Sequence, residues 1–201
     1  LDSPTNNFAT FNPVSTTNSN ITYSEGNLKY VQTGQWLMGM CTHLIQSGKW
    51  YVEYLVADNT NFGLGLCVPN SAMYGYANTA NQGWFGKANG GFGFQQNGSG
   101  TGEPLLINNT STARSSYGAN TSVGDILQMA YDADTGKLWF GLNNTYSASG
   151  NPSAGSNEGT TIASADRGNL IVSVSMENCN GILNFGQDSS FAGTKTLQGN
   201  Q

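Results

Sequence analysis

Charge is what this sequence has least of. Of its 201 residues only 9% are Asp, Glu, Lys or Arg, against about 25% in an ordinary soluble domain. Seven basic residues against twelve acidic ones leave a net charge of −5. No cationic stripe of the kind a phosphate backbone requires can be assembled from them, so no nucleic-acid partner is expected. The shortage of Lys and Glu also removes the material of long surface helices. No run approaches the ~18 apolar residues of a membrane helix, and the first thirty residues lack the basic-then-apolar order of a secretory leader. Neither membrane insertion nor a signal peptide is therefore expected. The three cysteines, Cys41, Cys67 and Cys179, cannot form a closed disulfide set and have no metal-ligand spacing. They read as buried thiols.

Chemistry-bearing residues are equally sparse. His43 is the single histidine, which removes every two-His metal site and most nucleophile-base-carboxylate arrangements. Glu25, Glu53, Glu103, Glu158 and Glu177 fall on different segments, and none forms an evident pair for glycoside hydrolysis. Asp132-Ala133-Asp134-Thr135-Gly136 begins like a calcium loop, but Lys137 and the apolar Leu138-Trp139-Phe140 follow at once, where a calcium loop needs further oxygen ligands. The glycine-rich stretch from Gly83 to Gly102 lacks the Lys-Ser/Thr ending of a phosphate loop. The expectation is a protein with no catalytic residues, no cofactor and no bound metal.

What the sequence does hold is 37% hydrophobic residues, 11% aromatics and 27 glycines, enough to collapse into a core and to turn often. Leu1 to about Asn20 reads as an extended lead-in anchored by Phe8 and Phe11. Period-2 alternation begins at Ile21. It is clearest over Gly48 to Val56, where Trp50, Val52, Tyr54 and Val56 share one face. Phe62 to Val68 alternates large residues with glycines and is expected to pair with the preceding strand as a hairpin. Residues 69–103 read as short strands broken by long loops. Two alternating runs flank Asp132 to Gly136 and predict a second hairpin. Asn143 to Thr160 reads as a surface loop, and Leu170 to Met176 and Gly181 to Gly186 as the last strands. No window carries a helical stripe, so the chain is expected to be all-β, a sandwich or barrel. The β domain spans residues 21–191, followed by a polar tail, 192–201, expected to continue into an extension.

Recognition is the function this composition favours, because exposed Tyr, Trp, Asn and Gln on loops supply stacking and hydrogen bonds at low entropic cost. The best candidate is the stretch from Tyr74 to Phe94, with Tyr74, Tyr76, Trp84 and Phe85 as aromatic contacts and Asn78, Asn81 and Gln82 as polar ones. Of the rings, Tyr76, Trp84 and Phe85 are expected at the surface, and Phe92 and Phe94, which alternate, in the core.

Three motifs in order carry a resemblance: Ser47-Gly48-Lys49-Trp50-Tyr51-Val52-Glu53, then Val123-Gly124-Asp125-Ile126-Leu127 with Asp132 and Leu138-Trp139-Phe140, then Gly181-Ile182-Leu183-Asn184-Phe185-Gly186-Gln187. Together they resemble a SPRY-type domain of the bacteriophage variety over about residues 21–191. The resemblance implies an all-β fold of two antiparallel sheets packed as a bent, concanavalin-like β-sandwich or jelly roll, with loops at one end forming a binding surface. It further implies a module of a virion surface protein, on a tail fibre, head fibre or capsid. Its partners would be other virion proteins and a host-surface glycan or protein, and its assembly a homo-oligomer such as a trimer. The chain departs from the pattern after Phe140, where Leu142-Asn143-Asn144 stands in place of the usual Asn-Gly. An exclusively decorating role on the particle, or a polysaccharide depolymerase, are the alternatives.

Overall fold

The computed structural model of the chain describes residues 8–16, 18–58, 61–98, 104–110, 112–188, 190, 191 and 195. The expected polar tail, 192–201, lies almost wholly outside them, as does Glu103. Alternation along the strands sorts side chains onto two faces, and the faces carrying the largest residues meet. One sheet contains β1 (Ile21–Ser24), β2 (Lys29–Gln32), β4 (Lys49–Val56), β9 (Ile126–Asp132), β10 (Lys137–Leu142), β11 (Thr145–Tyr146), β12 (Thr160–Thr161) and β14 (Cys179–Asn184). Its order is β1-β2-β14-β4-β9-β10-β11, with β12 also on β10. The second contains β3 (Leu37–Ile45), β5 (Asn61–Cys67), β6 (Gly91–Gln96), β7 (Leu105–Asn108), β8 (Thr112–Arg114) and β13 (Leu170–Glu177), in the order β3-β13-β5-β6-β7-β8. All pairs are antiparallel. The result is a two-sheet antiparallel β-sandwich.

Between the sheets lie Val52, Tyr54 and Val56 of β4, Leu127, Met129 and Tyr131 of β9, and Phe62, Leu64 and Leu66 of β5, with Phe92, Phe94 and Val174. Two aromatic pairs bridge the layers: Tyr54 stacks on Phe62 at 5.1 Å and Phe94 meets Phe140 at 6.0 Å. The lead-in is pinned as expected, since Phe11 is fully buried and bridges Cys41. All three cysteines are free and buried.

Asp132 to Gly136 is the predicted turn. The Asp132 carboxylate accepts from the backbone N–H groups of Asp134 and Thr135, and Gly136 sits at φ +79. Three expectations are corrected. β4 and β5 do not form a hairpin but lie in opposite sheets, because both flanks of β4 are taken by β14 and β9. Their large residues face one core from two sides. The second correction is a short helix, α1 (Ser71–Ala77), where only strands and loops were expected. Asn70 caps it by accepting from the Met73 N–H at 2.9 Å. Two buried positions, Met73 and Ala77, hold it to the sheet, and seven residues are too few to print a stripe on the sequence. The third is Asn143 to Thr160, which is not loop throughout but carries β11, a 3₁₀ turn at Ser147–Ser149 and the start of β12.

Candidate functional site

The outer face of the second sheet begins as a bare floor. Outward positions of β5 are Asn61, Gly63, Gly65 and Cys67, and those of β6 are Gly91, Gly93 and Gln95, with Gly65 opposite Gly93. Phe85 fills the space the glycines leave. A Cβ on Gly93 would lie 2.5 Å from the Phe85 ring, on Gly65 3.0 Å and on Gly63 3.1 Å. The ring is completely buried among Met38, Met40, Met73, Ala77, Ile107 and Ile171. Phe85 is thus the hydrophobic anchor of the cap formed by α1 and residues 78–90, and the expectation of an exposed contact is corrected. Its burial stabilises the cap by about 1.5–3 kcal/mol.

The rest of the cap is held by the backbone. Gly83 donates to the Trp36 carbonyl at 3.2 Å, and its own carbonyl accepts from the buried Ser175 hydroxyl. A Cβ at Gly83 would sit 2.5 Å from Leu37 backbone atoms, so only glycine permits this approach. Asn78 donates to the carbonyls of Tyr74 and Ser15, which ties the end of α1 to the lead-in. Asn81 takes a left-handed turn at φ +59. The Asn78 amide and the Asn81 backbone therefore shape the cap.

Tyr74 is exposed, while Tyr76 and Trp84 are half-buried and pack against the Phe85 cluster. Tyr76 and Gln82 line an open depression of about 400 Å³ over α1. Trp84 lines a different groove, of about 510 Å³, shared with Trp36, Asn61, Gln95 and Glu177. The structure therefore places Tyr76 and Gln82 in one depression and Trp84 in another, and Tyr74, Asn78, Asn81 and Phe85 in neither. The five other polar and aromatic walls of the second groove, Asn97 among them, were missed. Parity could have found Asn61, Gln95 and Glu177, since each continues the outward set of its strand. Trp36 precedes β3 and carries no periodic signal.

On the opposite side of the molecule the motifs behind the resemblance converge. Glu53 pairs in register with Asn184 on one flank and Gln128 on the other. Glu53 is only 2% exposed. It accepts from the Asn184 amide at 3.0 Å and from the Tyr51 hydroxyl at 2.9 Å, and Tyr51 in turn accepts from Gln128 at 2.6 Å. Burial pushes the Tyr51 hydroxyl well up, although the Gln128 hydrogen bond works against it. A cavity of about 280 Å³ beside this row is lined by Glu25, Lys29, Asn184, Asp188 and Phe191.

Among the described residues no three His, Cys, Asp or Glu side chains come together as a metal site. The His43 ring lies 3.2 Å from the hydroxyl of its neighbour Thr42. Burial pushes the Cys67 thiol up to about 12, with the Ser173 hydroxyl opposing, and drives Cys41 well above its ordinary value. Burial thus favours the neutral thiol at both positions.

The fold is similar to that of the PSpry domain of TRIM65, with a TM-score of 0.62 over 89% of this chain and 92% of that one, at 16% sequence identity. The chain therefore has a SPRY-like β-sandwich fold. No family model matches the sequence, and no curated protein does.

Proposed function

We propose that this chain is a non-catalytic recognition module that binds through the cap on its second sheet. The observation that carries this reading is the contrast between neighbours in the chain: Phe85 is locked completely inside the cap while Trp84 beside it remains partly open to solvent. An aromatic surface held on a rigid platform loses little conformational freedom on binding, which is what a recognition site gains from preorganisation.

The setting we propose is the surface of a bacteriophage virion, on a fibre, tail or capsid, with attachment to a host-surface glycan or protein as the role. Copies would be displayed as a homo-oligomer, a trimer in the fibre case. This setting rests on the motif resemblance, since a fold by itself names no partner. Weak individual sites would act together, because after the first contact the second occurs at a high effective concentration.

The test is adsorption of the labelled domain, displayed on a trimeric carrier, to intact host cells with and without competing surface polysaccharide. Saturable binding that falls in Trp84→Ala and Tyr76→Ala, with both variants folded, is the expected result. No adsorption by a folded, multivalent sample would overturn attachment and favour a module that contacts only other virion proteins.

A further inference from the structure

Glu177 ends β13 with its carboxylate fixed in place. It stands in register opposite Asn61 of β5, whose amide donates to its Oε2 at 2.7 Å, and Asn61 is itself held by the Gly98 N–H at 2.6 Å. On the other flank Leu37 pairs with Met176, which sets Trp36, the residue before Leu37, beside Glu177. The Trp36 carbonyl accepts from the Gly83 N–H at 3.2 Å, and this brings Trp84 to the same place. Trp84 lies against Gly86, where a Cβ would collide with the six-membered ring of the indole. Backbone pairing thus assembles one carboxylate and two half-buried indoles around a single groove of about 510 Å³.

No positive charge accompanies that carboxylate. Among the described residues the single ion pair joins Lys137 to Glu158, and no lysine, arginine or histidine lines the groove. Any ligand that covers the groove takes water away from Glu177, and this separates the ligand classes. An anion adds repulsion to the lost hydration. A neutral ligand leaves a desolvated carboxylate with no opposite charge, which costs far more than leaving a neutral polar group unpaired. A cation replaces the lost water with an opposite charge, and indole is the strongest aromatic partner a cation has.

Among cations the walls favour a guanidinium. An ammonium is compact and strongly hydrated, and the apolar walls Leu105 and Ile107 return none of that hydration. A guanidinium is planar and weakly hydrated, stacks on aromatic rings and meets a carboxylate through two parallel N–H groups. We infer that the groove between Trp36 and Trp84 receives an arginine side chain of a partner protein, with the Glu177 carboxylate accepting from its guanidinium. The net charge of −5 attracts such a partner from a distance. This rests on the recognition reading above and commits that reading to a protein partner.

The test uses the ¹⁵N-labelled full chain, whose indole N–H signals include their own controls: Trp50 and Trp139 are held elsewhere, donating to the carbonyls of Ser47 and Ser156. The probes are acetyl-Gly-Gly-Arg-Gly-Gly-amide at millimolar concentration and the same peptide with lysine, or with citrulline, in place of arginine. Citrulline keeps the shape of arginine and removes its charge. The expected result is a saturable shift of the Trp36 and Trp84 signals with the arginine peptide, while Trp50 and Trp139 stay fixed. Affinity should fall about tenfold for the citrulline peptide, and about tenfold for the arginine peptide in Glu177→Gln, which keeps an acceptor for Asn61 but loses the charge. Unmoved Trp36 and Trp84 signals, or equal affinity for the citrulline or the lysine peptide, would overturn the inference. The peptide comparison uses the unaltered chain, so it decides the matter even if Glu177→Gln fails to fold. If the trimeric domain still adsorbs to cells after such a result, the recognition reading survives and only the arginine assignment fails. If adsorption fails as well, both fall.

Discussion

Single residues decide more here than their number suggests. Phe85 and its glycine floor form one unit, so Phe85→Ala should cost about 3–5 kcal/mol of unfolding free energy, and Gly93→Ala about 1–3 by overpacking against the ring. Denaturant titration of the double variant tests the pairing: the loss should be less than the sum, because removing the ring makes room for the added methyl. Additive losses would show that ring and floor do not meet. Glu53 offers a second test. Glu53→Leu strips the acceptor from Asn184 and Tyr51, at about 1–3 kcal/mol for each group left unmatched, and unfolding at wild-type denaturant concentration would show the row to be dispensable. Glu53 closes the first motif of the resemblance, but its buried hydrogen-bonded row was not legible there, because a strand pattern marks which face a residue takes but not whether that outer face is covered. Phe85 was misplaced for the same reason: the aromatic pair Trp84-Phe85 between Gly83 and Gly86 has the same appearance whether its rings cap a sheet or meet solvent.

Elements were legible where their cause is local. The turn from Asp132 to Gly136 needs only its own carboxylate, its own backbone N–H groups and a glycine at positive φ. Partial burial alone would raise the Asp132 carboxyl, but the hydrogen bonds from Thr135 and Asp134, with Lys49 nearby, outweigh it and hold the carboxyl below its usual value. A depressed folded-state value means that its stabilising effect is present above the unfolded value, about 3.9, and disappears as pH falls through the folded one. Asp132→Asn should therefore flatten the acid limb of the stability curve below about pH 4, and an unchanged limb in urea titrations would refute this. The helix α1 was not legible, since its two anchoring positions have meaning only against the Phe85 cluster. Its cap can be tested directly: Asn70→Ala should cost about 0.5–2 kcal/mol, read as a lowered melting temperature.

At the scale of the whole molecule the ends of the chain are interleaved with its middle. β13 lies between β3 and β5 in one sheet, and β14 between β2 and β4 in the other. These neighbouring segments change sheets through Asn178 at φ +48, whose side chain accepts from Gly34 at 2.6 Å. Removing the chain from Leu170 onward would therefore take an interior strand from both layers at once. Such a truncation should abolish the far-ultraviolet signature of the fold and its cooperative melting altogether. A shortened protein that still melted cooperatively would mean that the first 169 residues form a core of their own.

The sequence by itself determined that the chain is built of strands, which faces of them carry the core residues, and where the Asp132 turn falls. All of these follow from period-2 burial and from hydrogen bonds within a few residues. Its ordered motifs also carried the SPRY resemblance that the fold now bears out. The tertiary structure alone decided which strands are neighbours, and hence that β4 and β5 face each other across the core instead of pairing. It also decided that Phe85 is an anchor, and that Trp36, Trp84, Gln95 and Glu177 share one groove. Pairing and burial at long range depend on which surfaces remain uncovered after the chain has folded, and no local pattern records that.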